Sequence, residues 1–360
     1  MRVCDQLILD VAGLGTGVTG AVGADAAETV GVGAARTILI TEDPTCDLVR
    51  AALAAGSAGS AGAVDVIFCD PDYARCQAAA ALGARVVGDV RLDEYLAGYA
   101  AESQGPVLAI GQAPKSLARL DYLARSIAGA GFGEARLVLG GNNKHLARSM
   151  NGVLHDSFDS VAASRGRGKF RCLVASGPRE VGYEPARGDG LVAFGGVFSG
   201  AKPDRGGELL RSGLPPVGEL GRFLDLGCGN GSVSRDVVAA GGAAPVPAPV
   251  SVSATDSDAD AVLSARAIGL EATWDDAGSR LPAGSFDTIA LNPPFHDGTT
   301  VDATLVQHLL DAAARLLAPG GSLYLVHNSH LRYRPEVGRR FASVEQLARN
   351  ATFTVLKAAR

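Results

Sequence analysis

In the second half of the chain, short apolar runs alternate with longer stretches of helical character. Residues 222 to 231 read RFLDLGCGNG: an apolar strand, an acid, glycines at alternate positions, then a helix-like run from Ser232. The run VSVSATDSDADAV is apolar from Val250 and ends at Asp256; TWDDAG (273 to 278) closes a third short strand at Asp275 and Asp276. A fourth, FDTIAL (286 to 291), leads into NPPFHDG. Strands separated by helical stretches predict an α/β domain that binds ligands at the carboxyl ends of its strands.

The first half repeats this pattern. LILDVAGLGTG (7 to 17) parallels RFLDLGCGNG, and ILITEDPTCDLVRAAL (38 to 53) parallels VSATDSDADAVLSARA (251 to 266). VLAIGQAPKSL (107 to 117) matches TIALNPPFHDG (288 to 298), and EARLVLGGNNKHL (134 to 146) matches GGSLYLVHNSHL (320 to 331). Matches in one order imply two copies of a fold, expected over 1–180 and 181–360, with SGPREVGYEPARGDG (176 to 190) as the linker. The first copy has Lys115 near the position of Phe295 and no Asn-Pro-Pro, so it reads as a degenerate copy kept for binding and support.

A length of 360 residues suits two domains. No stretch reads as a signal peptide or a membrane span. The cysteines Cys4, Cys46, Cys69, Cys76, Cys172 and Cys228 are scattered, which fits reduced thiols and a cytoplasmic location. His327 and His330 lack partners at zinc-ligand spacing, so no metal is expected. A net charge of −5 argues against bulk electrostatic binding of nucleic acid. Its distribution is uneven: Arg165, Arg167, Lys169, Arg171 and Arg179 crowd residues 161 to 180, and the last thirty residues are also basic.

In the glycine loop, Gly227, Gly229 and Gly231 permit close approach of a ligand and a sharp entry into a helix. A dinucleotide fingerprint would place its third glycine at Ser232. The pattern beginning at Asp225 instead resembles the first motif of class I S-adenosylmethionine (AdoMet)-dependent methyltransferases. Asp256 stands where an acid would meet ribose hydroxyls, and Asp275 and Asp276 where such enzymes hold the adenine amine. At NPPF, the Asn292 side-chain oxygen and the Pro293 carbonyl can accept both protons of an amine, on a turn stiffened by proline. Phe295 can stack on the attached ring. The motif therefore reads as a holder for an exocyclic amine on a planar group.

Taken together the sequence resembles the tandem-domain ribosomal RNA guanine-N2 methyltransferases of bacteria. The likeness is strongest from GGVFSGAKPDRGGELL (195 to 210) to the end, and VHNSHLRY (326 to 333) and NATFTVLKAAR (350 to 360) look closer to the large-subunit enzyme. It implies AdoMet as cofactor at Asp225, Gly227, Gly229, Gly231, Asp256 and Asp276, and guanine at Asn292, Pro293 and Phe295. Phe198 and His296 would lie near the substrate, with Arg165, Arg167 and Lys169 on RNA. The implied partner is ribosomal RNA or a ribosomal subunit, bound by a monomer. Two rivals share these features: an N-methyltransferase for a protein glutamine or an adenine, and a ribosome assembly factor with vestigial methyl transfer.

Overall fold

Short, largely apolar runs become strands buried on both faces. TILIT (Thr37–Thr41, β1) is buried throughout, and RFLDL (Arg222–Leu226, β10) is buried beyond its first residue, as expected for parallel strands covered by helices. The computed structural model describes residues 1–15, 35, 37–58, 64–103, 105–237, 251–294, 300–331 and 333–360. The chain divides into two units, Met1–Glu184 and Pro185–Arg360.

Unit 1 runs α1 (Val3–Ala12), β1, α2 (Asp47–Ala58), β2 (Asp65–Phe68), α3 (Tyr73–Ala81), β3 (Arg85–Val86), α4 (Leu92–Glu102), β4 (Val107–Gln112), α5 (Leu117–Ala128), β5 (Ala135–Asn142), α6 (Arg148–His155), β6 (Phe158–Ala163) and β7 (Phe170–Pro178). Unit 2 opens with the hairpin β8 (Ala186–Gly188) and β9 (Leu191–Ala193). It continues α7 (Arg205–Ser212), β10, β11 (Ser251–Asp256), α8 (Ala259–Ala267), β12 (Glu271–Trp274), β13 (Phe286–Leu291), α9 (Thr300–Leu316), β14 (Leu317–Asn328), α10 (Arg334–Gly338), β15 (Ser343–Arg349) and β16 (Phe353–Ala359).

The two seven-stranded sheets have one topology, β3-β2-β1-β4-β5-β7-β6 and β12-β11-β10-β13-β14-β16-β15. In each, the chain order reverses beside the strand that opens the sheet, β1 or β10, creating the crevice where open α/β sheets bind ligands. In unit 2 the side-chain alternation of β10 divides the core. Leu224 and Leu226 pack with Leu310, Ala313 and Leu316 of α9, whereas Phe223 packs on the other face with Leu210 and Val233. All six cysteines are buried free thiols.

Topology corrects the expected register of the repeat. LILDVA is not a strand but the second half of α1: Cys4, Ile8 and Ala12 recur every fourth residue and are all buried, which is the spacing of one helix face. Gly13, at φ 82°, ends that helix instead of opening a ligand loop; the rest of the glycine-rich stretch, from residue 16, lies outside the described residues. The counterpart of β10 is β1. Thr41 pairs with Gly111, just before Gln112, as Leu226 pairs with Leu291, just before Asn292. Likewise Ile40 pairs with Phe68 and Asp225 with Ala254, which makes Asp70 the counterpart of Asp256. The latter two segment matches, at β4 with β13 and β5 with β14, agree with the observed strand order.

Candidate active site

A cavity of about 350 Å³ opens at the carboxyl ends of β10, β11 and β13, within the size range of small-molecule sites. Its floor is the loop after β10. Gly227, Gly229 and Gly231 all have positive φ (78°, 53° and 78°), a region that penalises a side chain. The Gly227 and Cys228 N–H groups donate to the Thr255 carbonyl at 2.8 and 3.1 Å, tying the loop to β11. A Cβ on Gly227 or Gly229 would meet no atom within 4 Å, so both present bare backbone to open space. Gly231 differs. A Cβ there would come within 2.7 Å of Ile268 and Leu270, so this glycine permits packing behind the cavity.

Asp225 also lies behind the wall, wholly buried and accepting a hydrogen bond from the Ser234 hydroxyl. Burial pushes its carboxyl up to about 7. It braces the turn from strand into helix and does not line the cavity. Asp256 does line it. Its Oδ2 accepts from Gly229 N–H at 2.8 Å and its Oδ1 from Asp258 N–H at 3.0 Å. Burial raises this carboxyl, opposed by those backbone donors. Each carboxylate oxygen keeps a lone pair for a further donor.

Burial separates the two acids after β12. Asp275 is fully buried and accepts from Thr255 Oγ1 at 2.6 Å and Gly278 N–H at 2.8 Å, which makes it a structural link. Asp276 faces the cavity and is joined at 2.9 Å to His308 Nε2 on α9.

Asn292, Pro293 and Pro294 form the wall beyond β13. The Asn292 Nδ2 donates to Asp204 Oδ2 at 3.0 Å, while Asn292 Oδ1 is buried and has no hydrogen-bond partner among the described residues. A buried acceptor left unpaired costs about 1–3 kcal/mol, so this oxygen is a place where a donor is wanted. Phe295 and His296 lie outside the described residues. Phe198 also lines the cavity and is 66 % exposed, an unusual state for a large aromatic side chain. Its loop is held at both ends: Gly196 N–H donates to Asp260 Oδ2 at 2.8 Å, and Asn230 Nδ2 donates to the carbonyls of Gly200 and Lys202 at 2.7 and 2.9 Å.

Sequence reasoning missed Asp204, Asn230 and Asp260. Asp204 carried a local signal, since an acid three residues before Gly207 is a helix N-cap, and its Oδ2 does accept from Gly207 N–H at 2.9 Å. Its contact with Asn292, 88 residues away, is a product of the fold. Arg165, Arg167 and Lys169 belong to unit 1, at the exposed turn between β6 and β7, where Arg167 pairs with Asp10 at 2.7 Å. Among the described residues no group of three or more His, Cys, Asp or Glu could hold a metal ion, and no helix is long and apolar enough to cross a membrane.

The corresponding loop of unit 1 keeps two of the three left-handed positions and has opposite chemistry. Glu42 (φ 48°) and Cys46 (φ 54°) hold the left-handed conformations of Gly227 and Gly231. The Glu42 carboxylate lies 3.6 Å from Arg119 and 3.8 Å from Arg75. Asp70 keeps the position of Asp256 and its Oδ1 bond to the N–H two residues on, at 3.0 Å, but its Oδ2 accepts from Arg75 at 3.2 Å. Arg75 follows the N-cap Asp72 as Ala261 follows the N-cap Asp258. An ion cluster thus occupies the strand ends that unit 2 lines with Gly227 and Ala261.

The fold, the glycine loop and the Asn-Pro-Pro turn define a methyltransferase of the α/β class, and residues 190–357 match the family model "Methyltransferase small domain". The chain belongs to the ribosomal RNA large subunit methyltransferase G family. It is 33 % identical over 271 residues to the member from Alcanivorax borkumensis, covering 71 % of this chain and 68 % of that protein. It is 32 % identical to the member from Ectopseudomonas mendocina, covering 69 % of each chain. Among solved structures it resembles the T. thermophilus 16S rRNA N2-guanine methyltransferase RsmC in complex with AdoMet and guanosine. That likeness has a TM-score of 0.67 at 21 % identity, covers 93 % of this chain and 90 % of that one, and shows a shared fold.

Proposed function

We propose that the chain methylates the exocyclic N2 amine of a guanine in ribosomal RNA, with AdoMet as methyl donor. The observation that carries this reading is the buried, unpartnered Asn292 Oδ1 at the edge of the cavity. Asn292 Oδ1 and the Pro293 carbonyl take the two amine protons and orient the nitrogen. Alignment of this kind supplies most of what the protein must contribute. When bound, AdoMet supplies an electrophilic methyl group on a sulfonium.

The residues fit that cofactor. Gly227 and Gly229 leave backbone uncovered, Asp256 retains acceptor capacity for two ribose hydroxyls, and Asp276 offers an acceptor to the adenine amine. After transfer the nitrogen sheds its extra proton to water. Exposed Phe198 is suited to stack on a base drawn out of its helix. Because the ion cluster of Glu42, Arg75, Arg119 and Asp70 stands where the cofactor loop would be, unit 1 is catalytically silent and supports RNA binding through Arg165, Arg167 and Lys169. The name of the family points to large-subunit RNA as substrate; a cytoplasmic location and action as a monomer complete the proposal.

The test is transfer of tritium from labelled AdoMet to total RNA of a strain lacking the gene. Recovery of label as N2-methylguanosine in one ribosomal RNA is the expected result. Label in protein or in adenine would overturn the choice of substrate, and none in RNA or ribosomal subunits would favour a vestigial factor.

A further inference from the structure

We infer that Asp204 is a positioning residue that decides which end of the Asn292 amide faces the cavity, and so whether the site accepts an amine at all. The inference rests on the proposed function and adds a residue to it.

An asparagine amide has an oxygen and an NH₂ of nearly the same shape, so something must choose its orientation. An ionised carboxylate has lone pairs only and can face only the NH₂. Asp204 Oδ2 accepts from Asn292 Nδ2 at 3.0 Å, which fixes the amide and leaves Oδ1 without a partner among the described residues. With the amide reversed, two donors would meet at the substrate and the amine would be repelled.

Asp204 is itself held. The same Oδ2 accepts from Gly207 N–H at 2.9 Å, capping α7. The helix start is bare where the amide lies against it: a Cβ on Gly206 would sit 3.0 Å from Asp204 Oδ2 and 3.5 Å from Asn292 Oδ1, and one on Gly207 3.5 Å from Asn292 Nδ2. The pair also has a counterpart in unit 1, where Gln112 Nε2 donates to Asp5 Oδ1 at 2.9 Å. There the acid is shared with Arg2 at 2.9 Å.

Two substitutions separate capping from positioning. Asp204→Ser keeps a good cap but is too short to reach Asn292, whereas Asp204→Asn keeps an oxygen that can accept from both N–H groups. Single-turnover methylation of ribosomal RNA by Asp204→Ser should fall about tenfold, the value of roughly one hydrogen bond, with melting temperature and AdoMet affinity close to wild type. Asp204→Asn should restore most of the rate. Asp204→Ser on an Asn292→Ala background should cost nothing further, because the first acts through the second. Full activity in Asp204→Ser, or independent losses in the double variant, would overturn the inference.

A second readout needs no turnover. In amide NMR spectra the Asn292 side-chain NH₂ signals should shift in Asp204→Ser and return in Asp204→Asn; no shift would contradict the pairing. Failure of the wild type to methylate RNA, with this NMR response intact, would instead count against the substrate.

Discussion

The two units share one strand order, yet among the described residues the ends of their strands carry opposite chemistry. At the loop after the first sheet strand, Gly227 and Gly231 in unit 2 correspond to Glu42 and Cys46 in unit 1, all four at positive φ. Two left-handed positions recur, with Pro44 in place of Gly229, and the strand ends beside them hold an ion cluster. Ala261 corresponds to Arg75, Asn292 to Gln112 and Pro293 to Ala113. Asp70 even retains the acid of Asp256, with its second oxygen committed to Arg75. The lesson is that topology provides the crevice and that a few side chains at its strand ends decide whether a ligand can enter.

The comparison breaks most sharply at the amine holder. Asn292→Ala should lower methyl transfer on the order of 10²–10³-fold, the effect of losing one polar group aimed at a reacting centre, while AdoMet affinity stays unchanged. Rapid-quench methylation and calorimetric titration of one protein sample check both halves. The equivalent Gln112→Ala in unit 1 should leave transfer intact.

A smaller effect is expected from importing the cluster into unit 2. Gly227→Glu with Ala261→Arg should weaken AdoMet binding about a hundredfold, because a side chain is forced into a left-handed position and the floor of the cavity is filled. Calorimetric titration reads this directly, and circular dichroism should report an intact fold, since unit 1 accommodates these residue types.

The next difference is Asp225, whose counterpart is the buried, apolar Ile40. Its folded carboxyl is raised to about 7 by burial, whereas an exposed aspartate titrates near 4. The folded state therefore holds this proton more tightly than the unfolded state. The contribution is fully present below about pH 4 and is lost as pH rises towards 7. Asp225→Asn should remove that dependence. Urea unfolding at pH 5 and pH 8 should show the wild type losing on the order of 2–4 kcal/mol relative to the variant on going to the higher pH.

The smallest effect concerns unit 1. Charge reversal at Arg165, Arg167 and Lys169 should weaken RNA binding several-fold and flatten its salt dependence, with AdoMet binding unaffected. Unchanged RNA affinity in filter binding across a salt series would remove RNA support from this turn.

Much of unit 2 was legible because its signals are local. A glycine at alternate positions after an apolar strand, an acid at a strand end and a proline pair all constrain the backbone within a few residues. The fold class and the clustering of Gly227, Gly229, Asp256, Asp276 and Asn292 around one cavity follow from such signals. The repeat register was not legible at its start, because LILDVAGLG imitates a strand and glycine loop while its buried spacing is helical. The true counterpart, ILITEDP, has lost the glycines that would mark it. Asp204 was hidden for a different reason: its cap is local, but its hold on Asn292 spans 88 residues and exists only once the turn after β13 meets the start of α7.

The central claim is that one crevice holds the cofactor and its sister is closed by charge. Titration of the full chain with AdoMet, followed by calorimetry, tests it most directly. The account predicts one site per chain, severely weakened by Gly227→Glu with Ala261→Arg and untouched by Glu42→Gln. Two sites per chain, or a single site that survives the change in unit 2 and responds to the change in unit 1, would contradict it.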